Sequence, residues 1–207
     1  AASATAAIAL KNTMEKEGLS GTIRFYGCPE EELLSGKVKM AYYKMFEGCD
    51  IALSWHPSSS NAVYDASYLA CAYAKFYFHG LTAHAAFAPH LGRSALDASE
   101  LMVMGVQFLR EHIIQEARIH HAYLDVGGTS PNVVQANAKL FFYIRAPKGK
   151  QVREIFERIN KVAHGAAMMT ETNVEIRHKS GLADMIPNNI LSKALTDAWA
   201  EIGPCEY

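Results

Sequence analysis

The chain has 207 residues, half of them apolar, and its 20 basic and 21 acidic side chains leave a formal charge of -1. That length and composition can bury a core, which argues against disorder, and leave room for one large domain or two small ones. The near-neutral balance without a basic stripe argues against a nucleic-acid partner, and apolar runs such as Ala66 to Ala74 are too short and too interrupted to span a bilayer.

Ala1 to Lys16 is rich in helix formers and stops at Gly18, a residue suited to a helix C-cap. The apolar start lacks the basic segment of a signal peptide, so it is read as helix. Thr22 to Tyr26 then reads as a short strand, Gly36 to Met45 as a helix ended by Gly48, and Ile51 to Trp55 as a second short strand. Residues 1 to about 71 therefore look like consecutive units of an α/β domain with a parallel sheet. Pro57 to Asn61, with three consecutive serines, marks a break.

From about residue 72 the pattern changes. Lys75 to His79 alternates like a half-buried strand, and Ser94 to Ile114 reads as a long helix with Ser94 and Asp97 at capping-box spacing. Two strands, Ile119 to Val126 and Ala138 to Arg145, flank a loop containing Gly127, Gly128 and Pro131. A second long helix covers Gln151 to Met169, and Asn173 to Arg177 is the last strand. The order βαββαβ is that of a ferredoxin-like α+β sandwich, expected over 72–181. Ile190 to Ile202 begins another helix. The expectation is thus a ferredoxin-like domain inserted into a partial α/β domain made of 1–71 and 182–207.

Pro29-Glu30-Glu31-Glu32 is the densest acidic cluster and follows a predicted strand, where α/β proteins place their sites. Adjacent carboxylates repel, so a bound cation or a retained proton eases their approach, and a carboxylate on a metal beside one that takes a proton from water is a hydrolytic arrangement. An exposed acidic turn before a helix is the plainer reading. His56, at the end of the next predicted strand, is a possible ligand or an ordinary structural histidine. Cys28, Cys49, Cys71 and Cys205 show no paired zinc or redox spacing, which fits a reducing cytoplasm.

A third constellation runs from His79-Gly80-Leu81-Thr82-Ala83-His84-Ala85 through Pro89 and Gly92-Arg93-Ser94 to Asp97. Together with Gly27-Cys28-Pro29-Glu30-Glu31-Glu32 and Gly36-Lys37, it resembles the aminoacylase and glutamate-carboxypeptidase family of dinuclear metallohydrolases over essentially the whole chain. The resemblance implies a metal-dependent amide hydrolase acting on N-acyl or aroyl amino acids, with p-aminobenzoyl-glutamate as the first candidate. Glu31 would be the general base on a metal-bound water, and Glu32 and His56 would ligate one or both of two divalent ions, zinc or manganese. His84 would donate to the substrate carbonyl, often in a partner subunit's site, and Asn132 and Arg145 would bind the substrate, Arg145 at its α-carboxylate. The inserted domain would serve as a lid and build a homodimer.

Two departures qualify this. Leu33 and Leu34 stand where the family has small residues, and Glu30 replaces a usual alanine. The family also draws ligands from a cysteine-x-histidine motif that would precede Ala1 and from a histidine beyond Tyr207. The chain is therefore expected to be a piece that, alone, binds metal weakly and hydrolyses little. The alternative is a non-catalytic dimerisation and carboxylate-binding module. A ferredoxin-like RNA binder is less supported, because the strands offer aromatics such as Phe141 and Tyr143 but few cations.

Overall fold

The computed structural model describes residues 1–32 and 34–203, so Leu33 and Cys205 lie outside the described residues. The chain divides into two compact units, Ala66–Pro187 and Ala1–Asp65 with Asn188–Tyr207.

In the unit of residues 66–187, β1 (Ala70–His79), β2 (Arg118–Asp125), β3 (Asn137–Ala146) and β4 (Asn173–Leu182) form one sheet in the order β2-β3-β1-β4, and every neighbouring pair is antiparallel. Helices α3 (Ala95–Leu109) and α4 (Gly149–Met169) complete the expected βαββαβ order. One face of the sheet carries Ala74, Phe76 and Phe78 from β1 and Leu140, Phe142 and Ile144 from β3. These residues are buried together with Met102 and Val106 of α3 and Ile155, Phe156 and Ile159 of α4. The alternation along β3 is regular, and it sends Asn137, Lys139, Phe141, Tyr143 and Arg145 to the opposite face.

Local chemistry sets the helix ends. The Asp97 backbone N–H donates to Ser94 Oγ at 3.0 Å, half of the predicted capping box. Asp184 holds the start of α4: the Gly149 N–H donates to one carboxylate oxygen at 3.1 Å and Lys148 to the other at 2.9 Å. These contacts keep the Asp184 carboxyl below the usual range, chiefly through Lys148. At the helix crossing, a Cβ on Gly105 would lie 2.6 Å from a Val162 methyl, so the glycine lets α3 and α4 approach.

The other unit contains α1 (Ala2–Glu17), α2 (Gly36–Tyr42) and α5 (Asn189–Ile202). Helix α1 ends at Gly18 in the left-handed conformation, as its sequence predicts. The two short strands expected here are not formed. Thr22 to Tyr26 and Ile51 to Trp55 have no ladder partner among the described residues, and Ile51, Leu53 and Trp55 are 61%, 63% and 65% exposed. A strand exists only through the neighbour that takes its hydrogen bonds, and alternation alone supplies no neighbour. No helix among the described residues is long and apolar enough to cross a membrane.

Candidate functional site

The acidic loop is organised by its own cations. Glu30 accepts from Lys39 at 2.7 Å and from the Ser35 hydroxyl, and these contacts, Lys39 first, hold its carboxyl below the ordinary value. Lys37 lies 3.8 Å from Glu31. Mutual repulsion is therefore relieved by lysines from α2. A Cβ on Gly36 would stand 1.7 Å from the Pro29 carbonyl oxygen, so only glycine lets this loop fold back on itself. Glu31 and Glu32 are both exposed.

His56 is also exposed, outside any helix or strand, with Nδ1 2.7 Å from the Pro57 carbonyl oxygen. Among the described residues, no three histidine, cysteine or carboxylate side chains converge as a metal cage. Glu32 and His56 alone fall short of the three or four protein ligands a zinc ion takes, so the residues present do not fit a dinuclear centre.

His84 is better defined. Its Nδ1 lies 3.3 Å from the Ala86 backbone nitrogen and 3.1 Å from that of Phe87, and both N–H groups donate to it. In the neutral ring the proton is therefore on Nε2, the free and exposed edge. A β-bridge joins His84 to Val133, and the Ala85 N–H donates to the Asn132 carbonyl at 2.9 Å. The structure thus brings His84 and Asn132 into adjoining loops.

Arg145 lies elsewhere. The loops carrying His84 and Asn132 leave the sheet at His79 and Asn137, whereas Arg145 is eight residues along β3, about 27 Å away along the strand. It opposes Cys71 on β1 and Arg118 on β2, with its guanidinium 5.9 Å from the Tyr143 ring. Burial pushes the Cys71 thiol up by more than Arg145 lowers it. The guanidinium thus sits beside a neutral neighbour.

The cations on the open sheet face escape a linear reading. Lys75, Lys139 and Arg177 stand on three strands, one or two per strand, and only the pairing register shows that they share a surface with Arg118 and Arg145. The expectation of few cations is corrected accordingly. Their sequence signal is their placement at alternate positions of β1, β3 and β4.

Similarity to known proteins bears directly on this geometry. Residues 71–167 match the family model described as the peptidase dimerisation domain. The chain carries the peptidase dimerisation domain. It is 48% identical over 98% of its length to one of the subunits of the p-aminobenzoyl-glutamate hydrolase of Escherichia coli strain K12, and spans 42% of that protein. It is 30% identical to the Xaa-Arg dipeptidase of Mus musculus, over 86% of this chain and 41% of that one. A crystal structure of the aminobenzoyl-glutamate utilization protein from Klebsiella pneumoniae superposes with a TM-score of 0.56 at 26% identity, covering 66% of this chain and 34% of the other. The relatives also include the indole-3-acetyl-aspartic acid hydrolase of Enterobacter agglomerans at 27% identity, over 82% of this chain and 40% of that one. The dimerisation domain of this chain therefore sits among amidohydrolases and peptidases, and the predicted βαββαβ unit is its fold.

Proposed function

We propose that the chain belongs to a metal-dependent amide hydrolase that cleaves N-acyl or N-aroyl amino acids, with p-aminobenzoyl-glutamate as its first substrate. The observation that carries this reading is the pair of backbone N–H groups that donate to His84 Nδ1 beside Asn132, which leaves Nε2 to carry the proton. A donor held in place before the substrate arrives suits a carbonyl oxygen on which negative charge develops. In this reading Arg145 grips the α-carboxylate with its fork of N–H groups, Glu31 takes the proton from the attacking water, and Glu32 and His56 contribute to a zinc or manganese site whose other ligands the described residues do not supply. Its setting would be the reducing cytoplasm, in keeping with free Cys28, Cys49 and Cys71.

The opposite placement of His84 and Arg145 supports a two-copy arrangement. An N-aroyl amino acid is no longer than about three extended residues, roughly 10 Å, and does not bridge the length of β3. One copy would lend His84 and Asn132 to a substrate held by the Arg145 of the other. Nitrogen NMR is expected to show His84 as the Nε2–H tautomer and to show its resonances moving when p-aminobenzoyl-glutamate is added. Arg145→Ala should weaken that binding about ten- to hundredfold, the range for a hydrogen-bonded charge. Unmoved His84 signals, or affinity unchanged in Arg145→Ala, would refute the reading. Turnover with added Mn²⁺ that disappears in Glu31→Gln separates a hydrolase from a non-catalytic carboxylate-binding module.

The homodimer would form through β2. Both outer edges of the sheet are open and each carries a register shift, but β4 presents the charges of Glu175, Arg177 and Lys179, which oppose pairing, whereas β2 and the residue after it leave Tyr123, Leu124 and Val126 partly exposed. Helix α3 also leaves Met104 and Phe108 uncovered. Light scattering should find a dimer at high micromolar concentration, and Leu124→Lys should raise its dissociation constant by about tenfold or more, the cost of a charge at an apolar edge. A monomeric parent chain at that concentration would refute the dimer.

A further inference from the structure

The open face of the sheet is a grid whose rows follow from the strand register. The first row holds Arg118 beside Arg145, the next His120, Tyr143 and Tyr73, and the third Phe141, Lys75 and Arg177. The cations are braced on ring faces. Lys75 stands 5.5 Å from the Phe141 centroid and Arg145 5.9 Å from that of Tyr143, while Arg177 at 4.4 Å and Lys139 at 4.8 Å approach Tyr77 from the strands on either side of it. Arg177 of the third row is paired at 2.6 Å with Glu175 of the next, and there Asp125 opposes Lys139, so these two cations are offset. The uncompensated charge therefore lies in the first and third rows, at Arg118, Arg145 and Lys75. None of these three has a carboxylate partner among the described residues: Arg118 donates to the Gln115 and Ala117 carbonyl oxygens, and Lys75 and Arg145 stand over rings.

We propose that this face binds a short, extended acidic peptide continuing from the substrate, so that the enzyme's substrates include acidic amino acids carried on an oligoglutamyl or oligoaspartyl chain. The proposal rests on the reading of Arg145 as the substrate's carboxylate holder. Same-side residues of an extended peptide recur about every 6.8 Å, so carboxylates four residues apart are about 14 Å apart. That equals the two-row separation between the arginine pair and Lys75, at the same strand pitch. A single acidic residue reaches one row only, and a chain of five spans both. A single-stranded nucleic acid would satisfy the charge, but it binds by stacking bases on free ring faces. Here Tyr73 and Tyr143 stack on each other at 5.0 Å, and the faces of Phe141 and Tyr77 hold cations.

Calorimetric titration of the 207-residue chain with pentaglutamate, diglutamate, p-aminobenzoyl-glutamate and an eight-residue oligouridylate tests this. Pentaglutamate should bind at least about tenfold more tightly than diglutamate, and Lys75→Glu should remove that advantage while leaving p-aminobenzoyl-glutamate affinity unchanged. Lys75→Gln, which removes the charge without reversing it, should remove about half of the advantage on a logarithmic scale and keeps the test valid if the glutamate variant unfolds. Equal affinity for the two peptides, an advantage that survives both variants, or oligouridylate binding more tightly than pentaglutamate would overturn the proposal. Arg145→Ala separates the two readings. If p-aminobenzoyl-glutamate affinity is unchanged there, the carboxylate role of Arg145 fails, whereas a missing pentaglutamate advantage with an intact Arg145 effect defeats only the extended surface.

Discussion

Gly80→Ala is expected to destabilise the unit of residues 66–187 by about 3 kcal/mol and to lower its thermal midpoint by roughly 12 °C. A Cβ at this position would meet the Arg93 carbonyl oxygen at 1.9 Å, and backbone cannot step aside as a flexible side chain can. Gly80 is also tied in on both sides. Its N–H donates to the Ala136 carbonyl at 2.8 Å, and Leu81 exchanges both backbone hydrogen bonds with Arg93 at 2.9 Å. The alanine methyl must therefore spread the segment that leads from β1 into the His84 loop. The His84 tautomer signal should be lost or broadened along with the stability. Gly165→Ala supplies the contrast: nothing lies within 4 Å of its Cβ position inside α4, and the change should stabilise by about 0.5 to 1 kcal/mol through reduced backbone entropy. Denaturant melts of the two variants with opposite signs would bear this out; a Gly80→Ala protein as stable as the parent would refute it.

Phe142→Ala should cost about 4 kcal/mol, read as a shift in the urea midpoint with an unchanged slope. Phe142 is fully buried at the centre of β3, edge-on to Phe76 at 5.5 Å and stacked on His121 at 5.3 Å. Removing the ring leaves a void between two helices and three strands, and a close-packed core fills such a gap only in part. His121 already has its pKa lowered by burial, with Arg110 adding to the effect. Opening the cavity to water would lessen that burial, so the His121 pKa should rise toward the ordinary imidazole value in Phe142→Ala. A destabilisation below about 1 kcal/mol would mean that the core collapses around the gap.

How much of this was legible in the sequence follows from where each signal resides. The βαββαβ order could be read because β3 alternates without a break and Ser94 announces α3. The first half of β1 could not. Ala70, Ala72 and Ala74 lean toward helix, and this stretch is strand only because β3 pairs along all of it and β4 from Cys71 onward. Strand β4 likewise runs five residues past Arg177, through the register shift opposite Tyr73 and Ala74, to Leu182. The expected parallel strands failed for the converse reason, since alternation was present and partners were not. For the site, resemblance singled out His84, Asn132 and Arg145 as a set, whereas only the register shows that Arg145 stands at the far end of a strand from the other two. The tautomer of His84 depends on two backbone N–H groups whose positions no side-chain pattern encodes.

The distance between His84 and Arg145 along β3 also bears on how the protein would respond to its own abundance. If each site borrows its carbonyl donor from one copy and its carboxylate clamp from another, site assembly obeys mass action in the chain itself. Activity per molecule would then climb with concentration up to the dimer dissociation constant and level off above it. Expression level, and not only a ligand, would act as the throttle.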